Sequence, residues 1–266
     1  MKKLIIGGML IALLATSMVF AGCERVDLAE KNGPITTQSY NFTDFTGIDV
    51  GYAFELIVTP SSSYSVTITA GENVLDHINV HQDGSVLVFD IDNWIDIWWT
   101  SFYNPKVNIT MPMLEKLELS GASKATVTGF SSEHDFDLHV SGASEIDLDM
   151  AVGDFFTEIS GASHVDGHLT AISSDIGLSG ASRIKLTGSG GNIRLEGSGA
   201  SDVDLKGYAV NNASIDFSGA SHASMTVNGR LDVELSGASS LDYYGNPTIG
   251  STDISGSSSM NHKTTP

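Results

Sequence analysis

Leu117-Glu-Leu-Ser-Gly-Ala-Ser-Lys-Ala-Thr-Val-Thr-Gly129 is one copy of a unit that recurs through the second half of the chain. Its centre, Ser-Gly-Ala-Ser, begins at Ser120, Ser141, Ser160, Ser179, Ser198, Ser218 and Ser236, and a degenerate Ser-Gly-Ser-Ser begins at Ser255. Successive copies lie 18 to 21 residues apart, mostly 19. A fixed period near 20 residues with strand-like flanks marks a solenoid, in which each unit is too small to bury a core and its neighbours supply the missing face.

The flanks alternate. One residue before each motif stand Leu119, Val140, Ile159, Leu178, Gly197, Phe217, Leu235 and Ile254; two residues earlier stand Leu117, Leu138, Thr157, Ile176, Leu195, Ile215, Val233 and Thr252. Beyond it, Ala125, Ile146, Val165, Ile184, Val203, Ala223, Leu241 and Met260 share one position. Period two means strands with alternate side chains turned inward, so each repeat predicts two short strands hinged at Ser-Gly-Ala-Ser. Glycine supplies the positive φ of a tight corner, alanine is expected on its inner side, and the serines bond to turn backbone or to the serine one coil above. The fold class that follows is all-β: a parallel β-helix of about 19 residues per coil, right-handed by preference, roughly 38 Å long for eight coils spaced ~4.8 Å apart. Neither the six-residue spacing of left-handed hexapeptide helices nor the Gly-Gly-x-Gly-x-Asp calcium nonapeptide is present.

The front end is of another kind. Lys2 and Lys3 precede an apolar run from Leu4 to Phe20 that ends in Ala21-Gly22-Cys23, a secretory signal by charge, length and small-residue cleavage site. Phe20-Ala-Gly-Cys23 resembles the lipobox of bacterial lipoproteins, with Phe20 in place of the more usual leucine, and implies acylation (palmitate among the chains) of Cys23. As the one cysteine, Cys23 has no internal disulfide partner. Residues 1–22 are then a lipoprotein-type signal, 23–37 a polar tether, 38–112 a β-rich N-terminal cap and 113–266 the repeat solenoid. Without the signal, 11 basic residues face 32 acidic ones, a net charge of −21. Such a surface repels nucleic acid and anionic headgroups, and no nucleic-acid partner is expected.

Residues 38–112 read as β throughout, with strands at Tyr40–Val50, Ala53–Val58, Tyr64–Thr69, Ile78–His81, Val86–Ile91 and Val107–Met111 and no convincing amphipathic helix. Pro60-Ser-Ser-Ser63 and Gln82-Asp-Gly84 mark turns, the second a hairpin signal, and Pro112 ends the last cap strand. Phe45-Thr-Gly-Ile48, Leu56-Ile-Val-Thr-Pro60, Tyr64-Ser-Val-Thr-Ile68, Asp83-Gly84 before an apolar strand, and Met111-Pro-Met-Leu114 running into Leu117–Ser123 together resemble the bacterial head GIN domain proteins, a family named for autotransporter adhesins. The resemblance spans roughly residues 38–262. It implies a β-solenoid on secreted or lipid-anchored proteins and carries no catalytic residue. No membrane barrel of the autotransporter kind is expected after Pro266, and attachment is expected through Cys23, to the outer membrane or cell surface rather than the inner membrane.

Three constellations are candidates for chemistry. Glu118, His139, Glu158, Gly177, Glu196, Asp216, Glu234 and Asp253 share one outward position; Thr126, Asp147, Asp166, Lys185, Asp204, Ser224, Asp242 and Asn261 share another. In-register stacking would set Glu196, Asp216, Glu234 and Asp253 ~5 Å apart, each pair repelling by roughly 0.8 kcal/mol in water, which weak calcium binding would relieve; the competing reading is a solvated, solubilising face. Trp94, Trp98, Trp99, Phe102 and Tyr103 concentrate aromatics that would stack on a glycan or anchor a protein, or else cap the solenoid. His164 and His168, four apart, lie on one strand face about 13 Å from each other and, with no cysteine partner, read as surface histidines, not a zinc site. The function expected is therefore a non-enzymatic, lipid-anchored envelope protein acting by adhesion or protein interaction, without a cofactor. The alternatives are a carbohydrate-binding module using residues 94–103 and, with less support, a polysaccharide-active β-helix enzyme, which would need long groove-building loops.

Overall fold

The computed structural model describes residues 33–92 and 104–264. The chain opens with β1 (Ile35–Tyr40), β2 (Gly47–Val50), β3 (Glu55–Pro60), β4 (Ser65–Gly71), a single helical turn α1 (Glu72–Leu75), β5 (Ile78–Asp83), β6 (Val86–Ile91) and β7 (Lys106–Met111). The repeats supply β8 (Lys116–Leu119), β9 (Lys124–Ser131), β10 (Phe136–Val140), β11 (Glu145–Ala151), β12 (Asp154–Ile159), β13 (His164–Leu178), β14 (Arg183–Gly197), β15 (Asp202–Phe217), β16 (His222–Val227), β17 (Arg230–Leu235), β18 (Ser240–Tyr244), β19 (Thr248–Ile254) and β20 (Ser259–His262).

Parallel pairing arranges these strands as a β-solenoid of about 19 residues per turn. Strands leading into Ser-Gly-Ala-Ser form a first stack, β6–β2–β8–β10–β12, then the C-terminal parts of β13, β14 and β15, then β17 and β19. Strands leaving the motif form a second stack, β7–β3–β9–β11, the N-terminal parts of β13, β14 and β15, then β16, β18 and β20. One end is covered by antiparallel strands: β5 on β6, and β4 on β7 with β1 outside it. The Asp83-Gly84 signal is indeed a hairpin turn, with Asp83 opposite Val86. β1 starts within the segment read from sequence as tether, and α1 is a helix that the sequence did not suggest.

The corner works by backbone stacking. Ser141 N donates to Leu119 O (2.9 Å), Ala143 N to Gly121 O (2.8 Å) and Glu145 N to Ser123 O (2.9 Å), so the ladder continues around the bend without a break. Gly142 and Gly161 have φ of +75° and +74°, and a Cβ on Gly161 would lie 2.4 Å from Gly142 O. Both the torsion and the close approach require glycine there.

The side chains of the corner correct the sequence reading. Alanine, expected inside, is exposed, and the fourth residue, serine, is the buried one: Ser123, Ser144, Ser163, Ser182, Ser201, Ser221 and Ser239 all turn inward. Between inward Leu119 and inward Ser123 lie three residues rather than one, because the positive-φ glycine turns the chain and shifts the alternation. Ser182, Ser201, Ser221 and Ser239 donate to the carbonyl of the first serine of their own motif at 2.6 to 3.1 Å. The Ser144 and Ser163 hydroxyls have no hydrogen-bond partner among the described residues.

The solenoid also begins before the first Ser-Gly-Ala-Ser. Gly51-Tyr-Ala-Phe54 joins β2 to β3 as a corner beneath Ser120–Ser123: Ser120 N donates to Val50 O (2.9 Å), Ala122 N to Tyr52 O (2.5 Å) and Ser123 Oγ to Gly51 O (3.1 Å). Tyr52 takes the positive φ, +65°, that glycine holds in the other corners. Inside, aliphatic rows are completed by Phe45, Phe54, Phe89, Phe136, Phe155 and Phe217, and by the buried Tyr208, whose hydroxyl meets Ser174 Oγ at 3.1 Å across the interior.

Candidate functional site

The outward face of the first stack is one continuous column, read from register as Asp49, Glu118, His139, Glu158, Gly177, Glu196, Asp216, Glu234 and Asp253. Glu196, Asp216, Glu234 and Asp253, the calcium candidates, are successive neighbours within it. Asp49 belongs to the column too; sequence reasoning missed it because its corner, Gly51-Tyr-Ala-Phe54, shares only alanine with the motif at the same position. A parallel column holds Lys116, Asp137, Phe156, Asp175, Arg194 and Ser214, followed by Asp232.

Charge along this face is unevenly compensated. Lys116 Nζ lies 2.6 Å from Glu118, Arg194 forks onto Glu196, and the His139 ring stands 3.0 Å from Asp137 and 3.5 Å from Glu158. Asp216, Glu234 and Asp253 have no ion pair among the described residues. Burial, with Glu118 and Asp90 nearby, pushes the Asp49 carboxyl above its ordinary range. Among the described residues no three His, Cys, Asp or Glu side chains converge as a metal site would require. The column spreads its carboxylates along the rod axis.

Asp232 is the exception to this solvated pattern. Arg230 Nε and Nη2 donate to its two oxygens at 2.6 and 2.7 Å. The β17–β19 register slips between Leu231 and Val233, leaving Gly250 and Ser251 opposite Asp232 alone. Such a bulge frees a backbone amide, and here Ser251 N (2.7 Å) and Ser251 Oγ (2.9 Å) both donate to Asp232 Oδ1. The Arg230 guanidinium, with those bonds, holds the Asp232 carboxyl far below the usual carboxylate range.

Gly177 opens a gap in the carboxylate column, and a groove of about 490 Å³ lies over it. It runs along the column from His139 past Glu158 and Glu196 to Asp216, and the first serines of the corners, Ser141 to Ser218, form its other rim. A second hollow, about 340 Å³, adjoins it around Arg194, Asp216 and Glu234. Gly177 differs from the corner glycines, since a Cβ there would meet only Thr157 O, at 3.8 Å. No steric demand keeps it small, although glycine weakens a strand by about 0.5–1 kcal/mol. Its effect is to keep the groove open.

The second stack carries a different pattern that sequence reasoning passed over. In register order its outer column runs Lys106, Glu55, Lys124, Glu145, His164, Arg183, Asp202 and His222. Signs alternate from Lys106 to Glu145, and Lys106–Glu55 (3.2 Å), Lys124–Glu145 (3.0 Å) and Arg183–Asp202 (3.5 Å) are ion pairs. The signal was legible, since this column is the residue directly after each motif. His164 and His168 lie apart on the same strand, His168 Nδ1 meeting Thr187 Oγ1 at 3.2 Å. Cys23 and the aromatic residues Trp94, Trp98, Trp99, Phe102 and Tyr103 lie outside the described residues.

This architecture has close company. A family model described as "Putative auto-transporter adhesin, head GIN domain" matches residues 44–247. The chain belongs to the head GIN domain family. Among solved structures, a putative lipid binding protein from Parabacteroides distasonis ATCC 8503 is 15% identical with a TM-score of 0.80, over 87% of this chain and 98% of that one. A putative adhesin from Parabacteroides merdae ATCC 43184 is 16% identical with a TM-score of 0.78, over 87% and 97%. A putative adhesin from Parabacteroides distasonis ATCC 8503 is 18% identical with a TM-score of 0.75, over 87% and 98%. At these identities the likeness is one of fold. No curated protein matches the chain. The head GIN family name points to a surface or envelope protein, and no helix among the described residues is long and apolar enough to cross a membrane.

Proposed function

We propose that this head GIN protein is a lipid-anchored rod of the bacterial cell envelope that acts by adhesion, meeting its partner through the outward face of the first stack. The observation that carries the reading is the groove over Gly177, kept open at a position where a larger residue would fit, on a face whose carboxylates are only partly paired. Phe20-Ala-Gly-Cys23 supports the anchor, since several acyl chains hold a protein on a bilayer far more firmly than one. A partner presenting cationic groups, protein or amino-bearing polymer, suits the acidic column.

Two measurements test the halves separately. Cys23→Ala is expected to abolish incorporation of labelled fatty acid and to release processed protein from the membrane; continued labelling would refute the lipobox assignment. Beads coated with the mature chain should retain envelope or host-surface proteins, and Gly177→Gln, which fills the groove without adding charge, should reduce that capture several-fold without lowering the melting temperature. Equal capture by both chains would show that the partner meets another face.

A further inference from the structure

The two ends of the rod differ. At the N-terminal end β4, β1 and β5 cover the first turns with antiparallel strands. At the other end β19 and β20 pair only on their inner side among the described residues. Ile249 and Ile254 stand in register with Leu231 and Leu235, which are 0% and 1% exposed, yet they are themselves 43% and 40% exposed. The last turn thus presents the solenoid's interior row, with a free backbone edge beside it. The edge is only lightly guarded: the Gly250–Ser251 bulge and Asp253 lie on β19 and Pro247 and Lys263 flank the two strands, but neither proline nor lysine lies within Thr248–Ile254 or Ser259–His262.

Charge selects the occupant. The rod is strongly acidic, so two copies repel along their sides, but from Gly245 to Thr264 the charged residues are Asp253 and Lys263, which cancel. We propose that the last turn docks on the last turn of a second copy, tip to tip about a two-fold axis. That symmetry lays β19 antiparallel on its mate and β20 on its mate, continuing both stacks through the contact and covering Ile249 and Ile254. This rests on the anchored-adhesin reading for its setting: the described chain begins at Gly33, at the covered end, ten residues after Cys23 in sequence, and on that reading the open turn is the distal tip. Rods standing on one membrane point the same way and cannot meet tip to tip, whereas rods on two facing membranes can. The contact is small and weak singly, and many copies acting together would hold two surfaces by avidity.

The test uses the mature chain with Cys23→Ala, followed by sedimentation and small-angle scattering as concentration is raised into the high micromolar range. The expected result is a reversible dimer whose longest dimension is nearly twice the monomer's. Ile249→Lys with Ile254→Lys should weaken dimerisation at least tenfold while leaving the melting temperature within a few degrees, and Ile254→Asp offers the opposite charge should the lysine variant fold poorly. A chain that stays monomeric, a dimer no longer than the monomer, or a tip variant that dimerises as well as the parent would each overturn the proposal. Vesicles carrying the acylated parent should cluster with one another and not with vesicles carrying the tip variant. Clustering that survives both tip variants would overturn tip pairing and leave adhesion through another surface standing.

Discussion

Gly161→Ala puts the corner argument to a quantitative test. Gly161 has φ of +74°, a region that costs an L-residue about 1–2 kcal/mol. The added Cβ would lie 2.4 Å from Gly142 O and 3.0 Å from Gly142 N, so the two turns must separate locally by most of an ångström. That movement strains the Ala162 N to Gly142 O hydrogen bond of 2.8 Å, worth about 1 kcal/mol, and disturbs a stack packed on both sides, for about 1–3 kcal/mol more. A total loss of about 3–6 kcal/mol is expected, a fall in melting temperature on the order of 10 °C. Gly256→Ala meets a similar torsion, +69°, and a similar contact, 2.5 Å to Gly237 O, but in the last turn. Nothing lies beyond it among the described residues, so that turn can move outward or fray, and its loss should be less than half as large.

Gly177→Ala completes the series. Its backbone lacks positive φ and its Cβ would meet one atom at 3.8 Å, so melting temperature should hold or rise, by up to about 1 kcal/mol of stability. Thermal and urea denaturation monitored by circular dichroism rank the three variants, and hydrogen exchange shows whether damage stays within two turns. Gly161→Ala within 1 kcal/mol of the parent, or equal losses at Gly161 and Gly256, would refute the stacking account of the corner.

Other residues offer independent checks. Tyr208→Phe leaves the buried Ser174 hydroxyl unpaired and should cost about 1–3 kcal/mol, while the double variant with Ser174→Ala should recover much of that loss in a denaturation cycle. Asp49 has a raised folded-state pKa, so its ionised form opposes folding: the penalty is absent below the unfolded pKa near 4 and grows as pH rises through the folded value. Asp49→Asn should therefore raise the melting temperature at pH 7 and lose that advantage in acid; a constant gain at every pH would exclude titration as its cause. Asp232 shows the reverse sign, its depressed pKa giving stability above the unfolded value that is lost only in strong acid. Asp232→Asn should speed hydrogen exchange of residues 248–254 at neutral pH, and the parent's protection there should stay level from pH 5 to pH 8 once intrinsic exchange rates are divided out. Millimolar calcium should raise the melting temperature no more than ionic-strength-matched sodium chloride, since the column offers no convergent ligand set; an excess shift abolished by Glu196→Gln with Glu234→Gln would revive the calcium reading.

The repeats were legible because each turn keeps the same offset from its motif, so inward rows and outward columns follow from counting alone. Leu117 to Leu119 and Ala125 to Val127 take the faces that alternation predicts. The corner was not legible in detail: a small apolar alanine looked like the inward residue, but a left-handed glycine changes which positions face in, and a serine that bonds its own turn fits the interior as well. The first turn was hidden for two reasons. Tyr52 stands where the motif has glycine, and β4, α1, β5, β6 and β7 lie between that corner and Ser120, breaking the period. Asp49 could not join the column until its corner was found.

The two long faces divide the electrostatic work differently, and that bears on which of them meets a partner. On the second stack, opposite charges follow one another in the first turns of the outer column, so Lys106, Glu55, Lys124 and Glu145 satisfy each other in exposed pairs worth at most about 1 kcal/mol each. That column presents little net field, although Asp147 and Asp166 follow one another in the row beside it. On the first stack, Asp216, Glu234 and Asp253 follow one another without a cation between them, and the repulsion of each neighbouring pair is roughly 0.8 kcal/mol even in water. A rod selected only for stability would gain by interleaving lysine there, as the column from Lys106 to Glu145 does. Keeping the like charges together, beside a groove held open at Gly177, places the stronger field on the face where a cationic partner gains most by docking.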